Sequence, residues 1–116
     1  MARVVRVQAR GRVEVPAYGI ADAEHLVEKE MSRLWPGAQL RIESVTRLGP
    51  TRIVEEFAVD YLVSGDVEVD GEGEAERRAR AFAAVRTKLA ASRYGRAGLE
   101  EEGVGSQKSE VRRTDN

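Results

Sequence analysis

Apolar and polar residues alternate along three stretches of the chain. The first runs from Arg3 to Val15, and from Val5 onward apolar residues or glycine occupy its odd positions and mainly charged residues its even ones. Ala38 to Leu48 and Arg52 to Val63 show the same period of two, which is typical of strands with one buried face. Gly65-Asp66 indicates a hairpin turn, so the sequence predicts a short fourth strand from Asp66 to Asp70.

Two other stretches have the period of a helix. From Ile20 to Leu34, apolar residues recur at steps of three and four and form one stripe. Trp35-Pro36-Gly37 predicts the end of this helix, because proline cannot continue it and glycine permits a reversal. A second helix is predicted from Glu74 to about Tyr94, with a core stripe made of Ala75, Ala79, Phe82, Val85 and Leu89.

The order of these elements predicts the fold class. A β-α-β-β-β-α order predicts an α+β sandwich with one four-stranded, mainly antiparallel sheet and two helices on one face. The segments Gly11–Val15 and Gly65–Val69 are similar, and each closes a strand and precedes a helix. Their likeness is compatible with a duplicated strand-helix unit or with chance. It also favours placing both helices on the same side of the sheet.

Length and composition indicate one small domain. The 116 residues include 41% hydrophobic and 34% charged residues, as expected of a globular chain. The predicted domain covers residues 1–94, and residues 95–116 are predicted to form a disordered charged tail because they contain four glycines and few apolar residues. The chain has no cysteine and no apolar run long enough to span a membrane. We therefore expect a cytoplasmic protein.

Acids occupy every second position of residues 66–76. The opening Asp66-x-Glu68-x-Asp70-Gly71 resembles a calcium loop, in which oxygen ligands alternate along the chain. The twelfth position of such a loop requires a carboxylate, and Arg77 stands there. The acidic run therefore predicts a solvated edge strand and no metal site.

Candidate catalytic groups are few. His25 is the sole histidine, and the chain has no cysteine. A surface or boundary position is the favoured interpretation of His25, because no serine lies in a nucleophile-elbow context. Gly71-x-Gly73 lacks the Lys-Ser/Thr of a nucleotide loop and is surrounded by carboxylates. The sequence predicts a non-catalytic protein without a cofactor.

The distribution of basic residues gives the main functional prediction. The formal net charge is -1, but residues 1–12 and 77–96 contain basic residues and no acid. Such blocks can contact phosphates, and the alternative interpretation is a solvated surface partly neutralised by nearby acids. The candidate RNA-binding residues are Arg6, Arg10, Arg41, Arg47, Arg77, Arg78, Arg80, Arg86, Lys88 and Arg93. The first and second predicted strands are expected to present the first four of these on the outward face of the sheet.

Some stretches resemble a known family. Val13-Glu14-Val15-Pro16 is similar to the strand-to-helix entry of the short ribosome hibernation promoting factor and ribosome-associated inhibitor family. Residues 65–89 resemble that family's last hairpin and helix, through Glu74-Ala75-Glu76, Ala83-Ala84-Val85 and Lys88-Leu89. The predicted element order is also that of the family. The resemblance implies binding of helix arginines and lysines to ribosomal RNA, in the tRNA and mRNA channel of the small ribosomal subunit, and suppression of translation.

The function predicted from these features is non-catalytic binding of the ribosome or of another structured RNA. The alternative is a homo-oligomerising interaction module that does not bind nucleic acid and that assembles through the open sheet face or an edge strand. A near-neutral domain with charges of both signs on its outward face favours this alternative, because charges of one subunit can pair with those of another.

Overall fold

Strands and helices alternate in the computed structural model of the chain, which describes residues 2–50 and 54–104. Its strands are β1 Arg3–Ala17, β2 Gln39–Pro50, β3 Glu55–Val69 and β4 Leu99–Val104. Its helices are α1 Ile20–Leu34, α2 Glu74–Leu89 and α3 Arg93–Ala97. The predicted end of the first helix is confirmed, since α1 stops before Trp35 and Gly37 adopts a φ of 88° that favours glycine.

The strands form one antiparallel sheet in the order β2-β3-β1-β4. β1 and β3 pair along their full lengths, from Arg3 opposite Val69 to Ala17 opposite Glu55. The main elements follow the order β-α-β-β-α-β, and each β-α-β unit is split by a strand of the other. This is the ferredoxin-like, or split β-α-β, arrangement. The predicted α+β fold class with a four-stranded sheet is confirmed.

The predicted hairpin turn at Gly65-Asp66 is wrong, because β3 continues through it to Val69. Gly65 serves packing instead. A Cβ atom there would lie 2.6 Å from the indole of Trp35, so glycine leaves the space that this ring fills. Val67 and Val69 are buried while Asp66 and Glu68 are exposed, and residues 66–70 therefore end a long strand and do not form a separate fourth strand.

The fourth strand lies in the segment predicted to be a disordered tail. α2 ends at Leu89, earlier than predicted, and α3 leads into β4, which pairs with β1 from Gly11 to Val7. The predicted boundary at residue 94 is therefore placed too early, because residues 95–104 belong to the domain. The remainder of the predicted tail, residues 105–116, lies outside the described residues. No described strand covers the outer side of β1 from Arg12 to Ala17.

The core lies on one face of the sheet, where both long helices pack. The inward residues of β1 and β3 contact Val27 and Met31 of α1 and Val85 and Leu89 of α2 in one apolar cluster. This confirms the predicted placement of two helices on one face. Part of the predicted core stripe of the second helix is wrong, since Ala75 and Ala79 are exposed. The half-buried Phe82 packs against the core as predicted. No helix in the described ranges has the length and apolar character needed to span a membrane.

Gly11 and Gly65 occupy equivalent places in the two β-α-β units. Each lies nine residues before a helix, which begins at Ile20 or Glu74. Each also leaves room for an aromatic ring, because a Cβ on Gly11 would clash with the Tyr61 hydroxyl and one on Gly65 with the Trp35 indole. The equivalent spacing agrees with duplication of a strand-helix unit, which stays a prediction.

Candidate nucleic-acid interface

The predicted RNA-binding residues lie on two opposite sides of the sheet. Arg6, Arg10 and Arg41 are on the open face, where no helix of residues 2–50 and 54–104 packs, because α1 and α2 cover the opposite face and bury the adjacent odd positions of β1. The candidates from Arg77 to Arg93 belong to α2 and α3 on the covered side. The fold therefore does not join the predicted residues into one surface.

On the open face, Arg6 contacts acceptors from two neighbouring strands. Its guanidinium is 3.4 Å from the Asp66 carboxylate of β3 and donates to Ser64 Oγ at 3.3 Å and to Gln39 Oε1 of β2 at 2.9 Å. Arg6 stands directly opposite Asp66, and Gln39 opposite Ser64. The register of the sheet thus places Arg6 over its acceptors.

The other open-face arginines are paired in the same way. Arg10 Nη1 is 2.7 Å from Glu43 Oε1, and Arg41 Nη2 is 3.6 Å from the other oxygen of that carboxylate. Arg12, which the prediction left out, is 3.1 Å from Asp60, and Asp60 also accepts a hydrogen bond of 2.6 Å from Ser44 Oγ. Each of these arginines has a carboxylate partner within its own chain.

Arg47 is the exception among the predicted sheet residues, and its predicted place on the outward face is wrong. β2 contains an irregularity between Ile42 and Ser44. An extra residue in a strand moves every following side chain to the other face. Arg47 consequently stands opposite the inward-facing Phe57, with its guanidinium carbon 5.9 Å from the ring centre, and pairs with Glu55 at 3.5 Å.

Three candidates at the ends of α2 and on α3 are held by neighbouring groups. Arg80 pairs with Glu76 at 2.7 Å, and Arg77 donates to the Gly71 carbonyl at 3.3 Å. Arg93 is half-buried, pairs with Glu30 of α1 at 3.3 Å and reaches the Glu14 carbonyl of β1 at 3.5 Å. Arg93 is therefore a structural contact between α3 and the rest of the domain.

The cations of α2 and α3 that make no ion pair with a described residue form what we call the basic helical surface, and Arg77, whose hydrogen bond is to a neutral carbonyl, is one of them. Residues 77–98 contain seven basic side chains and no acid. Five of them make no ion pair within the part of the chain that the structure describes: Arg77, Arg78, Arg86, Lys88 and Arg96. Arg96 was missed because the second helix was predicted to end near Tyr94, although it belongs to the same acid-free run. Arg86 lies over the Phe82 ring at 5.9 Å.

A groove opens beside the basic helical surface, between α2, α3 and the start of β4. Its volume is about 700 Å³. Gly95 packs so closely on the end of α2 that a Cβ atom would clash with the Leu89 carbonyl and lie 2.6 Å from Ala90 Cα. The groove is lined by Ala83, Arg86, Thr87, Ala90, Gly95, Gly98 and Leu99. It therefore combines a small apolar floor with one guanidinium and one hydroxyl.

Two tyrosines lie beneath the surface in a buried pair. The rings of Tyr61 and Tyr94 meet edge to face at 5.7 Å. Tyr94 donates its hydroxyl to Glu30 at 2.8 Å, whereas the Tyr61 hydroxyl has no partner in the described chain. Burial raises the pKa of Tyr61 to about 12. Burial, and then the hydrogen bond to Glu30, raise the pKa of Tyr94 as well.

The other residues singled out in the sequence, His25 and the acidic run, lie at exposed positions. His25 is exposed on α1, as predicted for a surface histidine. The acids of the ladder, Asp66, Glu68 and Asp70, are exposed at the end of β3, with Val67 and Val69 buried between them. Within residues 2–50 and 54–104, no group of three or more acidic or histidine side chains is arranged to hold a metal ion.

Protein-family models, curated proteins and solved structures were each compared with the chain, and none matched. The chemistry of the surface is therefore what supports a function.

Proposed function

We propose that the protein is a non-catalytic RNA-binding protein and that it binds RNA through the basic helical surface. The observation that carries the proposal is the set of five cations on α2 and α3 without an ion pair among the described residues. A guanidinium or ammonium group that lacks an internal carboxylate partner is free to pair with a phosphate. The open face contributes little, because its arginines are already paired.

The attraction is local and does not come from the overall charge. The described ranges contain 15 basic and 18 acidic residues, so the domain as a whole repels a polyanion weakly. Acids of the α2 region are confined to Glu72, Glu74 and Glu76 at its beginning, and the cations follow them. RNA is therefore expected to approach α3 and the C-terminal part of α2.

The proposed target is ribosomal RNA of the small subunit, and this part rests on the family resemblance. The observed β-α-β-β-α-β order differs from the order that the resemblance implies. Because the hairpin is absent, what remains of the likeness of residues 65–89 is the part in α2, which contains Glu74-Ala75-Glu76, Ala83-Ala84-Val85 and Lys88-Leu89. Co-sedimentation of the protein with small ribosomal subunits tests this part separately from RNA binding in general.

Fluorescence anisotropy with a labelled RNA hairpin at several salt concentrations tests RNA binding. Five phosphate contacts predict a slope of log K against log salt of roughly -3.5 to -4.5. The variant Arg78→Gln/Arg86→Gln/Lys88→Gln should lower the affinity and reduce the steepness by roughly 2. Its matched control, Arg3→Gln/Lys29→Gln/Arg33→Gln, removes the same charge from exposed positions elsewhere and should leave both values near those of the unmodified protein. Binding that is absent, independent of salt or equally weakened by the two variants overturns the proposal.

A second proposed function is self-association through the outer edge of β2. β2 is twelve residues long and is an edge strand of the described sheet, so its outer backbone groups are available to another strand. Leu48 on this strand is 47% exposed. Light scattering should then show a mass that rises with protein concentration. The variant Leu48→Lys should have the mass of a monomer at every concentration. A monomeric mass at high micromolar concentration contradicts self-association.

A further inference from the structure

We infer that the groove between α2, α3 and β4 receives one unpaired nucleotide of the bound RNA. The inference rests on the proposed RNA binding and extends it from phosphate attraction to recognition of an unstacked base. The occupant is argued from the position of the groove: Arg86 belongs both to its wall and to the basic helical surface.

The size of the groove suits such an occupant. Its volume of about 700 Å³ falls within the range of about 300–1,000 Å³ found for sites that bind small molecules. Two glycines shape the groove, because Gly95 lets α3 pack closely on the end of α2 and the position of a Gly98 Cβ atom has no neighbour within 4 Å. Gly98 also has a φ of 90°, which disfavours replacement by a larger residue.

The lining offers a flat ligand both apolar and polar contacts. Ala83, Ala90 and Leu99 present apolar surface. Thr87 Oγ1 donates its hydrogen to the Ala83 carbonyl at 3.0 Å, so the lone pairs of this hydroxyl can accept a hydrogen bond from an exocyclic amine or ring N–H. Arg86, held over the Phe82 ring, can stack its guanidinium plane on a base or contact the phosphate of the same nucleotide.

An unpaired nucleotide fits this lining better than a duplex does. In a double-stranded RNA helix the base faces are stacked and the edges are paired, so only the sugar-phosphate surface reaches a protein groove. Bases in bulges, loops and single strands expose their faces and edges and can enter a cavity. The phosphate of that nucleotide would then lie within reach of Arg86, the cation of the groove wall.

The experiment compares two labelled RNA stems that differ only in a bulge of unpaired nucleotides. The full-length protein is measured alongside Ala83→Phe, which fills the groove without changing charge. Ala79→Phe is the matched control, because Ala79 is likewise exposed on α2, one turn earlier, and does not line the groove. Ala90→Phe is a second groove-filling variant, and circular dichroism checks that each variant is folded.

The expected result is that the unmodified protein prefers the bulged stem and that Ala83→Phe and Ala90→Phe weaken this binding roughly tenfold, the order of one lost stacked base. The salt slope should stay unchanged, because no phosphate contact is removed, and Ala79→Phe should bind like the unmodified protein. Equal binding of both stems, or unchanged affinity of folded groove-filling variants, overturns the inference while RNA binding itself stands. If no RNA binds with a salt-dependent affinity, the proposed function has failed as well.

Discussion

The open face of the sheet and the basic helical surface contain the same kind of side chain in two different states. On the open face Arg6, Arg10, Arg12 and Arg41 each lie within 3.6 Å of a carboxylate. On α2 and α3, Arg80 and Arg93 are the ion-paired members among seven described basic residues. The difference arises because the sheet places Asp66 opposite Arg6, Asp60 opposite Arg12, and Glu43 within reach of both Arg10 and Arg41. The acids of α2, in contrast, are confined to its first turn. Paired cations contribute to the stability of the fold, and unpaired ones remain available to a partner.

Substitution of Glu30 should have the largest effect on stability, because Glu30 connects α1 to Tyr94 and Arg93 of α3. Glu30→Ala should lower the free energy of unfolding by about 3 kcal/mol, since it removes the acceptor of the buried Tyr94 hydroxyl and the partner of Arg93. Urea unfolding measures the change. The control Glu28→Ala, at an exposed position of the same helix, should change it by less than about 0.5 kcal/mol. A loss below about 1 kcal/mol for Glu30→Ala would show that α3 is held by packing alone.

The alkaline pH dependence sharpens the comparison, because two buried tyrosines on the covered side of the sheet have raised pKa values. The pKa of Tyr61 is raised by burial to about 12, so its contribution is complete below the unfolded pKa of about 10 and is lost as the pH rises through 12. The loss amounts to roughly 2–3 kcal/mol. The raised pKa of Tyr94 acts in the same direction.

Tyr61→Phe tests this in urea unfolding across the alkaline range. The variant should flatten the decline, and at neutral pH it should be about 1 kcal/mol more stable, because it removes a buried hydroxyl that has no described partner. Tyr94→Phe is the counterpart and should destabilise the protein at neutral pH, since it loses the hydrogen bond to Glu30. Destabilisation by Tyr61→Phe at neutral pH would mean that its hydroxyl is satisfied in solution.

Asp60 tests the open face. Asp60→Ala should cost about 1–2 kcal/mol in urea unfolding, because this carboxylate accepts from both Arg12 and Ser44. Asp66→Ala is the control, since its ion-pair partner Arg6 is 3.4 Å away and the Asp66 side chain is 62% exposed. It should cost less than about 0.5 kcal/mol. Equal costs for both would mean that the network adds nothing beyond separate exposed pairs.

The smallest expected effect concerns the unpaired cations. Arg78→Gln and Lys88→Gln should each leave the free energy of unfolding within about 0.5 kcal/mol of the original value in thermal or urea unfolding. A larger loss for either variant would break the comparison, because it would show that these side chains stabilise the fold.

The two long helices and the fold class could be predicted from the sequence, because α1 and α2 have apolar residues at helical spacing and Trp35-Pro36-Gly37 marks the end of α1. The bounds of the third strand and the position of the fourth could not be predicted in this way. Gly65-Asp66 has the composition of a turn, and only the position of the Trp35 ring explains why a glycine is needed within a straight strand. β4 was missed because its sequence contains three acids and one glycine. Its place beside β1 is set by tertiary pairing.

The candidate site, too, could be predicted only where it depends on local sequence. A basic block on α2 was visible in the sequence, and that part of the surface remains. The pairing of Arg10 with Glu43, which are 33 residues apart, depends on sheet register and could not be read from either residue. Arg47 was assigned to the wrong face because the irregularity in β2 leaves no signature in the local sequence.

The outer side of β1 beyond Gly11 has one more consequence. Residues two apart in a strand direct their backbone groups to the same edge, so the carbonyl of Glu14 and the nitrogen of Pro16 belong to one edge. The Glu14 carbonyl is engaged by Arg93 at 3.5 Å, and Pro16 has no N–H to donate. For a strand of another molecule that approaches this edge, the Glu14 carbonyl is already occupied and Pro16 offers no donor. This stretch therefore resists amyloid-like pairing through its backbone, without needing charged side chains at the edge.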